Sequence, residues 1–269
     1  MIKQILSVAL LALSISANAQ SQNPPQDPAS CAAQIPFGQP VVKKQDTTVI
    51  CRKAYMLEHD NKAKIPVWVA YTLTPDHSTG CVARSNAFAP DESLPYDKRA
   101  ALKDYAKSGY DIGHQANDGD MSWDTQVERE SFILSNMAPQ LPGFNRGIWK
   151  QLEDQTRAWA KNRNHTLHIY VGPIYDYKKD STIGKNAVIV PHAFFKIITD
   201  TETGEVIVTE FSHEASKAKL STFITSLAQV QKDTGIVFPM PKSAKFSTEM
   251  WPSATKSVRA SKGAVCSLN

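Results

Sequence analysis

The chain has 269 residues, 42% of them hydrophobic and 21% charged, with a formal net charge of +4. That length fits one large domain or two small ones around a sizeable core. Beyond the N-terminal stretch no apolar run is long enough to span a membrane, and the mild positive charge permits a polyanionic partner without demanding one.

Lys3, the apolar residues 5–15 and the small-residue site Ala17-Asn18-Ala19 read in order as an export signal cleaved after residue 19. Residues 20–40, rich in Gln, Pro, Ser and Ala, read as a flexible leader, which leaves 41–269 as the folded domain. The four cysteines, Cys31, Cys51, Cys81 and Cys266, form no CxxC pair, so a zinc ribbon is disfavoured. In an exported chain they read as two disulfides. The pairs expected are Cys51–Cys81, bracketing a hairpin, and Cys31–Cys266, joining the two ends.

Residues 47–60 and 65–74 are β-branched and aromatic runs around the charged turn NKAK, the pattern of a hairpin. Residues 96–109 read as a short helix stopped by Gly109, and 125–137 as a second helical stretch. Between them lies SGYDIGHQANDGDM (108–121), read as a loop. FNRGIWKQLEDQTRAWAKN (144–162) predicts the clearest helix, with Ile148, Leu152 and Trp159 on one arc and Trp149 at its edge. Strands are expected within 166–175, 187–199 and 205–211, and an amphipathic helix within 221–233. The sum is one α+β domain, an antiparallel sheet flanked by helices.

His114 stands in a stretch with three aspartates and three glycines. Alone it reads as a turn-capping histidine or as a base. Asp111, Asp118 and Asp120 lack the spacing and closing glutamate of a calcium loop. Asn145 suits an N-cap, or a hard cation such as Mg²⁺. Glu153 and Arg157 alone read as a surface pair four residues apart. On a regular helix Asn145 and Glu153 are separated by a rise of about 12 Å, too far to share one ion directly. Glu153 could still hold a water in the ion's outer shell. The other six histidines show no close ligand pattern, and Trp68, Trp149 and Trp159 read as core.

GYDIGHQANDGDM, FILSNMAPQ and FNRGIWKQLED, in that order and spacing, resemble the DNA/RNA non-specific endonucleases, the ββα-metal family of Serratia-type nucleases and endonuclease G. Supporting stretches are CRKAY, VAYTL, RSNAF, YVGPIYD and VPHAFFKII, and the resemblance runs over roughly residues 50–212. It implies a ββα-metal core and an exported, periplasmic or secreted, Mg²⁺-dependent enzyme, with Mn²⁺ or another divalent cation as a substitute. Its substrates would be DNA and RNA, bound through phosphates with steep salt dependence, and its products would carry 5′-phosphate and 3′-hydroxyl ends. Dimers occur in the family, and an inhibitor protein is a compatible partner. His114 matches the general base, Asn145 the metal ligand and Glu153 the acid positioning a metal-bound water. Arg84 matches a phosphate-stabilising arginine, Arg157 a more peripheral one and Asn136 a polar residue lining the site.

Members usually read Asp-Arg-Gly-His where this chain has Ile112. Arg146 or Lys150 would be the compensating cation. A non-catalytic nucleic-acid-binding protein on the same fold is the alternative that Ile112 supports, and an exported phosphodiesterase for another polymer is a third.

Overall fold

Strand-forming runs build a seven-stranded sheet in the computed structural model, which describes residues 27–43 and 46–252. The expected export signal therefore lies outside the described residues, as does Cys266. The first strands are β1 (Val41–Val42), β2 (Thr47–Cys51), β3 (Tyr55–Asp60) and β4 (Ile65–Leu73). A middle region follows: α1 (Leu102–Tyr105), β5 (Asp111–His114), α2 (Asp118–Met121), α3 (Thr125–Ser131), β6 (Met137–Gln140) and α4 (Lys150–Arg163). Then come β7 (Leu167–Ile174), β8 (Thr182–Ile183), β9 (Val188–Ile189), β10 (Ala193–Asp200) and β11 (Glu205–Ser212). The last elements are α5 (Leu227–Thr234), β12 (Ile236–Val237) and β13 (Lys245–Phe246).

The large sheet has the order β13-β11-β10-β7-β4-β3-β2. Its pairings are antiparallel except for the short β11–β13 contact. Both faces are covered, so β3, β7 and β10 are buried along their whole length. One face packs Val69, Tyr71, Phe194 and Ile198 against Trp149, Leu152 and Trp159. The other packs Trp68, Tyr170, Phe195 and Ile197 against Cys31, Cys51 and Val230 of α5. The period-2 pleat puts Lys196 on the same face of β10 as Phe194 and Ile198, toward α4. The molecule is thus a single mixed α+β domain.

Three expectations are corrected here. Residues 47–60 hold two strands with a turn at Arg52–Ala54. Residues 96–109 contain only a 3₁₀ turn (Tyr96–Lys98) and the single-turn α1. Part of the expected leader is folded: Pro28–Gln34 forms a 3₁₀ helix packed on the sheet, with Cys31 fully buried. Its backbone carbonyls accept from Thr72 Oγ1 (to Ala33, 3.0 Å) and face His168 Nε2 (at Gln34, 3.0 Å).

That packing also decides the disulfide. Cys31 is bonded to Cys51, so neither expected pairing forms. The reason is the missed turn: Cys51 ends edge strand β2 rather than flanking the β3–β4 hairpin. Cys81, itself disulfide-bonded, lies past β4, where its N–H donates to Ser122 O at 2.8 Å. Replacing Cys31 and Cys51 together by alanine releases a loop with a sequence separation of 20. The expected cost is about 3 kcal/mol, read as a lower urea midpoint with the slope included in the fit, since the freed unfolded chain exposes more surface.

Candidate active site

The DIGH stretch is a strand, not a loop. β5 pairs antiparallel with β6, from Asp111 opposite Gln140 to His114 opposite Met137. The side chain of Gln140 rests on the backbone of Gly113, where a Cβ would lie 2.3 Å from it and would have to push it aside. The predicted second helix stops at Ser131, and residues 137–140 form the partner strand instead. Ile112 and His114 share one side of β5. Ile112 is half-buried against the main core, so the side chain at that position is absorbed by packing.

Asn136 does not line an open site. Its Oδ1 accepts from Ala116 N (2.9 Å), while its Nδ2 donates to Ala116 O (2.9 Å) and Ser131 O (2.8 Å). Fully buried, it ties the residues after His114 to the end of α3. A buried amide with these bonds met is a structural clamp.

His114 is 8% exposed. Its ring meets Phe132 edge-on at 4.8 Å and Phe88 at 5.5 Å between centroids. Nε2 is enclosed without a hydrogen-bond partner among the described residues. Burial, and then the nearby Arg84 guanidinium, push its pKa down to about 3. In the free protein the ring is therefore neutral, and a neutral imidazole has one nitrogen lone pair to offer a proton. Arg84 packs on the same ring, its guanidinium 4.8 Å from the centre of Phe132.

Each aspartate of the quoted stretch carries its own arginine. Asp111 takes Arg146 through both oxygens (2.8 and 2.6 Å), Asp118 takes Arg84 (3.0 Å), and Asp120 takes Arg157 (2.7 Å). That is what the acidic run does here, in place of a calcium loop. The three pairs differ in access. The side chain of Arg146 is 72% exposed and that of Arg84 45%, whereas that of Arg157 is only 11%. Arg157 is spent on Asp120, Asp154 and the Asn117 Oδ1 (2.9 Å). Asn117 also caps α2 by accepting from Asp120 N. Arg157 is therefore a strut between α4 and α2, not an open phosphate contact. Arg157→Ala would strand the fully buried Asp120, which keeps only the Tyr71 hydroxyl at 2.7 Å. The expected loss is about 3–5 kcal/mol, visible in a urea melt.

Asn145 is not a helix cap. The predicted helix over 144–162 begins as a π-type turn (Phe144–Trp149), broken at Gly147 (φ −104°, ψ −113°), and runs regularly only as α4. The rise calculated for a regular helix thus does not carry back to Asn145. Its Nδ2 donates to Asp111 Oδ2 at 3.0 Å, which orients the amide and turns Oδ1 away from that carboxylate. Glu153, on the first turn of α4, is half-buried and makes no direct hydrogen bond with the described residues. Burial, with Asp120 and Asp154 adding, pushes its pKa up to about 7 against the lowering pull of Lys196 and Arg157. An amide oxygen and carboxylates are hard donors, the set that suits Mg²⁺, Mn²⁺ or Ca²⁺ rather than a soft metal.

The structure thus brings His114 and Arg84 together, and Asn145 and Arg146 together through Asp111. Lys150, the other compensating cation considered, pairs with Asp154. The inward-facing Lys196 was missed; the signal was a charged residue amid the apolar run AFFKII. Among the described residues one further group has metal-ligating types, His165, Asp200 and Glu202. Its centre is already filled, because Arg163 Nε donates to Asp200 Oδ2 at 2.7 Å.

A family model described as DNA/RNA non-specific endonuclease matches residues 34–244. Human mitochondrial endonuclease G is 28% identical over 202 residues, 70% of this chain and 68% of that protein. A nuclease of Syncephalastrum racemosum is 34% identical over 211 residues, 70% of this chain and 66% of that protein. A solved structure titled as the EndoG/EndoGI complex, on the mechanism of EndoG inhibition, superposes with a TM-score of 0.73 at 26% identity. It covers 87% of this chain and 99% of that one.

Proposed function

Because the chain belongs to the DNA/RNA non-specific endonuclease family, and is a nuclease by that kinship, we propose that it is an exported, Mg²⁺-dependent, sugar-non-specific endonuclease. It hydrolyses phosphodiester bonds of DNA and RNA to leave 5′-phosphate and 3′-hydroxyl ends. The observation that carries this reading is the enclosed, neutral His114 near Arg84, both packed on the Phe132 ring.

The residues divide the work by access and charge. His114 takes the proton of the attacking water. In the free protein its basicity is held down by burial and by Arg84. A phosphate diester paired with Arg84 would offset that positive charge and raise the basicity as substrate arrives. Arg84 leaves Asp118 to meet the phosphate oxygens and counters the charge that builds on them. Arg146, the most exposed of the three arginines, supplies the cation that Ile112 does not. Asn145 Oδ1 would hold the divalent cation, with Glu153 orienting a water in its outer shell. When bound, that cation supplies stabilisation of the departing 3′ oxygen. Asn136 and Arg157 act at one remove, fixing the residues after β5 and the α2–α4 contact.

Export is supported by the Cys31–Cys51 disulfide, a bond that persists in oxidising compartments. No helix among the described residues is long and apolar enough to cross a membrane. The solved EndoG complex concerns inhibition, and a protein inhibitor is the corresponding expectation here.

The test is incubation of the purified, oxidised protein with supercoiled plasmid and, separately, with RNA, in Mg²⁺ and in EDTA. Nicking of both substrates that stops in EDTA is the expected result. Salt-sensitive binding of plasmid without cleavage would replace this reading with the non-catalytic one.

A further inference from the structure

Lys196 sits at the middle of β10, one of the innermost strands of the large sheet, and is 0% exposed. Val171 of β7 stands opposite it on one side and Thr209 of β11 on the other. Its Nζ has no hydrogen-bond partner among the described residues and lies 4.9 Å from the centre of the Trp149 ring. A buried ammonium without a direct partner is costly, and a hydrophobic residue would serve the core at least as well. Its presence therefore calls for a charge that it answers.

The groups facing it come from three elements. On α4 there are Glu153 and Arg157, with Asp154 beside them. On α2 there is Asp120, and on β4 Tyr71, whose hydroxyl donates to Asp120 Oδ2 at 2.7 Å. Asp120 is already satisfied by Arg157 and Tyr71, and Asp154 by Arg157 and Lys150. Glu153 alone makes no direct bond, and Lys196 and Glu153 are each the leading opposite charge acting on the other. The ring of Trp149, immediately before α4, holds the ammonium in place through the attraction of a cation to an aromatic face.

We infer that Lys196 is a positioning residue for Glu153, its ammonium acting from beneath the sheet-facing side of α4 as the counter-charge that favours the ionised form of this carboxylate and holds it in place. The inference rests on the proposed role of Glu153, but its first test does not. Lys196→Met keeps the length and apolar stem of the side chain and deletes the charge. In metal-free protein with no nucleic acid present, the carboxyl carbon of Glu153 is followed by ¹³C NMR against pH. Its midpoint is expected to rise by about one pH unit or more in the variant. An unmoved midpoint overturns the inference whether or not the protein cleaves DNA.

A purely structural lysine predicts loss of thermal stability in Lys196→Met at pH 6, where Glu153 is largely protonated. The counter-charge role predicts an equal or higher Tm there. Should Lys196→Met fail to fold, Glu153→Gln gives the reciprocal reading. The Lys196 ammonium should then lose its proton at lower pH than in the parent protein, and no change overturns the inference. In the plasmid assay, Lys196→Met should slow nicking in the parent yet cost no more than about twofold in a Glu153→Gln background, the mark of two residues acting as one unit. A further large loss there overturns it. Absence of cleavage by the parent protein strikes the nuclease reading alone, because the titration is read without substrate.

Discussion

His114→Ala is expected to lower the plasmid-nicking rate by about 10²–10⁴-fold, the usual contribution of a positioned general base. Folding should survive the change. The imidazole Nε2 has no partner among the described residues to abandon, so the fold loses edge contacts with Phe132 and Phe88 and no hydrogen bond through that atom. The β5–β6 register is carried by backbone groups, and the connection after β5 is fixed by Asn136. The check is initial rates in Mg²⁺ beside a far-UV spectrum and a thermal melt of the same sample. A variant retaining more than about a tenth of the parent rate would locate the base elsewhere.

The second large effect is on pH. His114 is neutral in the free protein at all pH values well above 3, so it sets no limb in the working range. Glu153 does, since its carboxyl is pushed up to about 7. If the ionised form orients water, kcat/KM should fall as pH drops through about 7 at low Mg²⁺, because kcat/KM reports the free enzyme. More Mg²⁺ should move that limb to lower pH, since a nearby cation favours the carboxylate. Glu153→Gln should lower the rate and remove the limb. The same shift has a consequence for stability. The folded-state value lies above the ordinary 4.5, so the fold favours the protonated acid. The associated stability is fully present below 4.5 and is lost as pH rises through about 7. In metal-free buffer, Glu153→Gln should therefore melt near the parent at pH 4 and above it at pH 8. Equal melting at both pH values would remove this account of Glu153.

The sheet was largely legible because residues 65–74 and 166–175 are short runs rich in β-branched and aromatic residues bounded by turn residues. The apolar arc Ile148, Leu152 and Trp159 likewise pointed to the buried face of the helix. What escaped was decided by partners distant in sequence. DIGH is too short and too rich in glycine to announce a strand, and it is one only because Met137–Gln140 lies alongside. The break at Gly147 is invisible to a period count that continues in phase across it. At the candidate site, the resemblance to the nuclease family singled out His114, Arg84, Asn145 and Glu153. Residue types and order could not assign Asp118 to Arg84 or Asp120 to Arg157, because each of these contacts joins separate elements. Cysteine counting had the same limit: four residues allow three connectivities, and the buried turn at Cys31 selected among them.

The two accessible aspartate–arginine pairs, Asp118–Arg84 and Asp111–Arg146, bear on turnover. A nuclease indifferent to sequence gains its grip from phosphates alone, and a grip that is too firm would hold each product after the cut. Asp118 and Asp111 are tethered beside Arg84 and Arg146, so their effective concentration does not fall when nucleic acid is scarce or plentiful. On the proposed reading, each phosphate that arrives exchanges for a resident carboxylate, and each that leaves is replaced without waiting for a counterion. Part of the binding strength is thereby surrendered in return for release, and the arginines return to the same starting geometry after every cleavage.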